Sequence, residues 1–202
     1  MVEQRSDEWR ELRLGHLGAS RLGDALAEGR NGQPSATRED LLYELLSERL
    51  SGKPYENFHS RYMEDGIENE PFARAEYEAR TDAIVTEHPG KEWSVNRGFW
   101  ASPDGLIGEV GGVEIKSPKT KNHLKTMATG IINTGYLYQM AGNVLVFDRE
   151  WWDFVSYDPA LPDNLCIYIK RFYRDDLPID KVRDGILRFL DDLENLERRW
   201  KK

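Results

Sequence analysis

Five residues near the middle of the chain, Val113-Glu114-Ile115-Lys116-Ser117, constrain it most, because apolar and charged residues strictly alternate there. Side chains of a strand point to opposite faces in turn, so Val113 and Ile115 face one side while Glu114 and Lys116 share the other. Upstream, Phe99–Ala101 and Gly105–Val110 also have strand character, with Pro103-Asp104-Gly105 and Gly111-Gly112 as turn signals between the segments. A hairpin closing at Gly111-Gly112 is expected to fold the strand that starts at Asp104 back towards Glu114. Two carboxylates and one ammonium then converge at the end of a two-stranded ribbon.

Helical periodicity surrounds this β-rich centre. A short helix fits Asp7–Leu14, and Glu28–Pro34 reads as a glycine-rich surface loop. Thr37, with Asp40 three residues on, is expected to cap a helix running to about Leu50 and stopped by Gly52. Its apolar stripe is Leu41, Leu42, Leu45, Leu46 and Leu50. A second helix, rich in acids and arginine, spans about Arg61–Arg80 with Glu70 in its middle. Further helices are expected over Lys121–Met127 and Tyr136–Phe147, and strands over Trp151–Tyr157 and Cys166–Phe172. A closing helix over Ile179 to about Trp200 shows Ile186, Phe189, Leu190 and Leu193 on one face. The expectation is α/β (α+β): a central mixed sheet flanked by helices, in a single domain over 1–202 whose last segment, 179–202, only packs. Without repeats or a long linker, 202 residues suit one domain with a sizeable core.

No apolar run approaches the roughly 20 residues a bilayer span needs, and the charged start, MVEQRSDEWRELR, lacks the apolar stretch of a signal peptide. The expected location is cytoplasmic, with no membrane partner. Cys166 is the lone cysteine, which excludes an internal disulfide and any cysteine-based metal centre within one chain; its apolar surroundings make it a core thiol. The four histidines, His16, His59, His88 and His123, have no metal-ligand spacing, and His123, among lysines, is expected to be a solvated loop residue. Trp151 and Trp152 are expected in the core or at a subunit interface. A net charge of −8 does not advertise a nucleic-acid binder. Locally the balance reverses: from Gly112 to Asn133 there are four lysines and a single acid.

Asp104, nine intervening residues, then Glu114-x-Lys116 is a pattern suited to phosphodiester hydrolysis. Mg²⁺ takes a few carboxylate oxygens plus water and phosphate oxygens. Asp104, Glu114 and the Ile115 backbone carbonyl supply such ligands, and Lys116 can orient or deprotonate a water and offset developing charge. The same residues also fit an exposed cross-strand pair on an ordinary hairpin, worth under about 1 kcal/mol.

The pattern resembles the core of the PD-(D/E)xK nucleases, which share a restriction-endonuclease-like fold. Longer strings resemble the lambda exonuclease family, the YqaJ-type viral recombinases or phage alkaline exonucleases. These are Trp9-Arg10-Glu11-Leu12-Arg13-Leu14-Gly15 with Ala19-Ser20, Gly66-Ile67-Glu68-Asn69-Glu70, Ser102-Pro103-Asp104-Gly105-Leu106, Glu114-Ile115-Lys116-Ser117-Pro118, Tyr138-Gln139 and Tyr157-Asp158-Pro159. They follow the family's order over roughly residues 3 to 175. One departure is Ala141, where the family often has a second glutamine.

The resemblance implies an Mg²⁺-dependent 5′→3′ exonuclease on double-stranded DNA with free ends, using two ions, with Mn²⁺ able to substitute. Asp104, Glu114 and the Ile115 carbonyl would hold metal, Lys116 would activate water, and Glu70 would be a helix-borne catalytic glutamate near the metals. Arg13, Ser20, Ser102 and Gln139 would hold the 5′-terminal phosphate, for which a guanidinium fork and short hydroxyls are apt. It further implies a toroidal homotrimer, a single-strand annealing protein as partner, and a phage or prophage origin in a bacterial host. Lys119, Lys121 and Lys125 would then line the DNA channel, leaving the acidic charge outside. An endonuclease of the same chemistry and a catalytically silent DNA-binding subunit are the alternatives.

Overall fold

The computed structural model describes residues 4–55 and 61–201, so His59 lies outside the described residues. Ser6 starts the chain's first helix, α1 (Asp7–Leu12), by accepting the Trp9 N–H on its hydroxyl. The two-residue strand β1 (Leu17–Gly18) and a 3-10 turn over Ala19–Arg21 lead into a single helical turn, α2 (Leu22–Ala25).

The next helix, α3 (Ala36–Ser51), is capped two residues before the expected position. Ser35, not Thr37, is extended and accepts the Arg38 N–H. Thr37 is already inside the first turn, where its hydroxyl cannot cap. Gly52, at φ +66°, ends α3 in the left-handed conformation that glycine adopts at little cost. Leu41, Leu45 and Leu46 are buried, whereas Leu50 is exposed. Helix α4 (Arg61–Thr81) carries Glu70 directly before an interior proline, Pro71.

Seven strands and three α-helices follow among the described residues: β2 (Val85–Thr86), β3 (Lys91–Trp93), β4 (Asn96–Ala101), β5 (Gly105–Ile107), β6 (Gly111–Lys116), α5 (Thr120–Thr129), α6 (Thr134–Phe147), β7 (Trp151–Tyr157), β8 (Ile167–Tyr173) and α7 (Ile179–Trp200). The expected mixed sheet is five-stranded, in the order β2-β5-β6-β7-β8, with β6 and β7 parallel and the other pairs antiparallel. A second sheet, β1-β4-β3, was not expected; β1 and β3 are too short to leave a periodic signal.

Gly111 and Gly112 do not form the expected turn. They are the first residues of β6, and the reversal occurs over Gly108–Val110, where Gly108 has φ +51°. The glycines serve packing: a Cβ on Gly111 would lie 2.2 Å from the Trp151 ring, and one on Gly112 would lie 2.4 Å from the Trp152 ring. Parallel pairing sets Gly111 beside Trp151 and Gly112 beside Trp152.

Each face of the large sheet has its own cover. Val113, Ile115 and Val155 meet Ala73 and Tyr77 of α4. On the opposite face, Trp152 and Phe154 join the main core with residues from α2, α3, α6 and α7, including the expected Ile186, Phe189, Leu190 and Leu193. Cys166 is buried as expected. No helix among the described residues is long and apolar enough to cross a membrane.

Candidate active site

Strand register brings the two central carboxylates together. Gly105 pairs with Val113, and one further step of the antiparallel register sets Asp104 opposite Glu114. Asp104 Oδ2 accepts the Ile115 N–H at 2.7 Å. Since N–H and C=O of one strand residue point the same way, the Ile115 carbonyl also faces this side, just beyond the end of β5. Glu114 is fully buried. Its Oε1 lies 2.5 Å from Lys116 Nζ, and its Oε2 accepts from Asn143 Nδ2 on α6 at 3.1 Å. Lys116 keeps 23% side-chain exposure, and its Nζ sits 5.4 Å from the Tyr136 ring centre.

Burial raises the pKa of Asp104; the Lys116 charge and the Ile115 N–H oppose this, and the Glu70 charge adds to it. Burial, with the neighbouring Asp104 charge, pushes Glu114 up to about 8 despite Lys116. For Lys116 burial acts to lower the pKa, but the Glu114 and Asp104 charges outweigh it and hold the ammonium above the usual lysine value. The site is therefore short of positive charge: Lys116, with a smaller contribution from Arg5 at Asp104, does not offset the burial that disfavours ionisation of both carboxylates.

Glu70, on the acidic helix α4, is buried. Its carboxylate is gripped from two sides, by Arg5 and by Arg74 at 3.0 Å, and its charge acts on both Asp104 and Glu114. Among the described residues no three His, Cys, Asp or Glu side chains form a ready-made metal cage. A hard divalent cation nonetheless fits the oxygen donors Asp104, Glu114 and the Ile115 carbonyl, because it would supply the charge these buried carboxylates lack. Mg²⁺ in particular seldom uses an all-protein cage.

Of the four residues expected to hold a terminal phosphate, two meet around Gly18. A Cβ there would lie 3.0 Å from Arg13 Nη2 and 3.8 Å from Ser20 Oγ. The Arg13 guanidinium stacks on Trp9, 3.9 Å from the ring centre, and its Nε has no hydrogen-bond partner. Burial lowers its pKa to about 10, with Glu48 opposing. Gln139 is buried on α6, one turn before Asn143. Ser102 is already engaged, accepting from Trp100 Nε1 at 2.8 Å and facing the Pro89 carbonyl at 3.1 Å; it must rearrange to donate to a ligand.

Lys119, Lys121 and Lys125 are exposed on the first turns of α5, the latter two on one face of the helix. A cleft lined by Pro118, Asn122, Lys125, Asn133 and Tyr136 joins Lys125 to the ring that Lys116 overlies. His123 is neither solvated nor in a loop. It is fully buried on α5, with its ring nitrogens 2.8 Å from Ser156 Oγ and 2.8 Å from the Leu165 carbonyl. The lysines around it occupy the outer face, and the helical period turns His123 inward. Trp152 is core, while Trp151 is half-buried under a stacked Arg171.

Sequence reasoning passed over Asn143, Tyr136, Arg5 and Arg74. Only Asn143 left a signal, as a lone amide among the apolar residues Met140 to Phe147.

A model of the YqaJ-like viral recombinase domain matches residues 8–150. The chain belongs to the YqaJ-like viral recombinase family. That match spans Glu70, Asp104, Glu114, Lys116 and the four residues expected to hold a phosphate. The chain is similar throughout to an alkaline exonuclease (LHK-Exo) from Laribacter hongkongensis, at 38% identity over 97% of this chain and 96% of that one, with a TM-score of 0.89. The same exonuclease in complex with dAMP matches at 37% identity with a TM-score of 0.89. A phage-related exonuclease from Haemophilus somnus, at 16% identity over 92% of this chain and 96% of that one, shares the fold with a TM-score of 0.68. Comparison with curated proteins gave no match.

Proposed function

We propose that this chain is a divalent-metal-dependent exodeoxyribonuclease, degrading one strand of linear duplex DNA from its 5′ end. It would leave 3′ single-stranded tails for a single-strand annealing protein in phage-type recombination. The observation that carries the reading is the convergence of Asp104, Glu114 and Lys116 at the open end of β5 and β6. Likeness to an alkaline exonuclease over almost the whole chain supports it.

Asp104, Glu114 and the Ile115 carbonyl would hold Mg²⁺ or Mn²⁺, which supplies Lewis acidity and lowers the pKa of a bound water. Lys116 orients the attacking water and offsets charge gathering on the scissile phosphate. Arg13, poorly hydrated and stacked on Trp9, offers its fork to a terminal phosphate, and the adjacent Ser20 hydroxyl adds a donor. Gln139 approaches from α6. Glu70 modulates the metal site through its charge. The lysines of α5 would carry the duplex, within a toroidal homotrimer whose outer surface keeps the acidic excess. Such a protein would act in the cytoplasm of a bacterial host, encoded by a phage or prophage.

Digestion of linear duplexes labelled at either end, with and without a 5′ phosphate, tests the reading. Release of label from the 5′ end alone, faster with the phosphate, is expected. Cleavage of a closed circular duplex would point to an endonuclease instead. No nucleotide release in the presence of Mg²⁺ would indicate a silent DNA-binding subunit.

A further inference from the structure

Asn143 is an expensive residue in its position. It is fully buried on α6, surrounded by the apolar Met140, Ala141, Val144, Val146 and Phe147 of the same helix. Its amide nitrogen donates to Glu114 Oε2 at 3.1 Å, while its Oδ1 is buried without a hydrogen-bond partner. A buried acceptor left without a donor destabilises the fold. A core position chosen for stability alone would favour an aliphatic side chain.

What the amide achieves is orientation. Glu114 is held at three points: its backbone in β6, Oε1 by Lys116, and Oε2 by Asn143. A donor on Oε2 fixes the rotation of the carboxylate about its last bond, which otherwise turns freely. The fixed plane sets how Glu114 faces Asp104 across the strand pair. Helix α6 also carries Tyr136 and Gln139 on the side facing the site, so Asn143 ties that helix to the carboxylate itself.

We propose that Asn143 is a positioning residue of the reaction centre, orienting Glu114 to take a divalent cation. This rests on the assignment of Glu114 as a metal ligand. Residues that hydrogen-bond a metal ligand typically contribute 10–100-fold to affinity, so the loss of this donor should be visible in binding without any turnover.

The test is calorimetric titration of Mn²⁺ into the full chain, with thermal unfolding in parallel and exonuclease assays across Mg²⁺ concentrations. Asn143→Leu keeps a similar branched shape but removes the donor. It should unfold near the wild-type temperature, bind Mn²⁺ about tenfold or more weakly, and need correspondingly more Mg²⁺ for half-maximal activity. Wild-type affinity in a folded Asn143→Leu overturns the proposal. Should that variant not fold, Asn143→Ser and Asn143→Ala decide: the serine hydroxyl should restore binding over alanine, and equal affinities reject the idea. A wild-type chain that binds no Mn²⁺ and releases no nucleotide defeats the metal-nuclease reading itself, a result distinct from either.

Discussion

Asp104 accepts the Ile115 N–H at 2.7 Å, replacing with a side chain the ladder partner that β5 no longer provides. One carboxylate oxygen thus continues the sheet and the other remains available for chemistry. Asp104→Asn retains an acceptor for Ile115, so its melting temperature should stay near wild type. Without the charge, nuclease activity should fall by about two to three orders of magnitude, as when other oriented electrostatic groups are removed. Thermal unfolding and a nucleotide-release assay on one preparation check both.

The elevated Glu114 pKa makes stability depend on pH. An acid whose folded pKa, about 8, exceeds its ordinary value of 4.5 binds more protons folded than unfolded between those limits. Its contribution is therefore full below pH 4.5 and declines as pH rises through the window, levelling above about 8. Glu114→Gln should flatten this decline in thermal melts recorded across the window, and abolish nucleotide release. A slope identical to that of wild type would contradict the assigned shift.

Gly112 lies beneath an indole. Gly112→Ala would drive a methyl group to 2.4 Å from the Trp152 ring and force β6 and β7 apart. A loss of about 1–3 kcal/mol is expected from such overpacking, read from chemical denaturation. Activity should fall as well, because Glu114 is two residues further along the same strand.

Beneath the other face of the sheet, Asp153 accepts from Tyr77 at 2.7 Å and from Arg171 through two bonds of 2.8 Å. Tyr77→Phe removes one donor and leaves the guanidinium in place, so it should cost about 0.5–1.5 kcal/mol. Arg171→Ala leaves a buried carboxylate with a single phenol and should cost more. Reversal of that order in urea titrations would show that the tyrosine is the principal partner.

Charge reversal at Lys119, Lys121 and Lys125 should shorten the tracts digested per binding event and reduce the slope of affinity against salt, since fewer phosphate contacts release fewer counterions. An unchanged slope would place the DNA path elsewhere.

Much of this was legible in the chain because the signals are local. The alternation around Glu114 fixes a strand with Glu114 and Lys116 on one face, and the long helix after Ile179 declares its buried stripe. Where neighbours distant in sequence decide, the reading failed. Gly111 and Gly112 resemble a turn until Trp151 and Trp152 are placed over them. Burial of His123 depends on a carbonyl more than forty residues away, at Leu165. Arg5 and Arg74 meet on Glu70 only because the fold brings Arg5 to α4 from 65 residues away. Arg13 and Ser20 were put forward, with Ser102 and Gln139, by family resemblance, and only the fold shows that these two side chains flank Gly18.

The buried His123 has a mechanical consequence. Its Nε2 faces the Leu165 carbonyl and donates to it, and its Nδ1 meets the Ser156 hydroxyl. That bridge bolts the lysine-bearing helix to β7 and to the loop ahead of β8. A duplex advancing over α5 would meet a fixed comb of charges, and at each step the double helix, rather than the protein, would have to adjust.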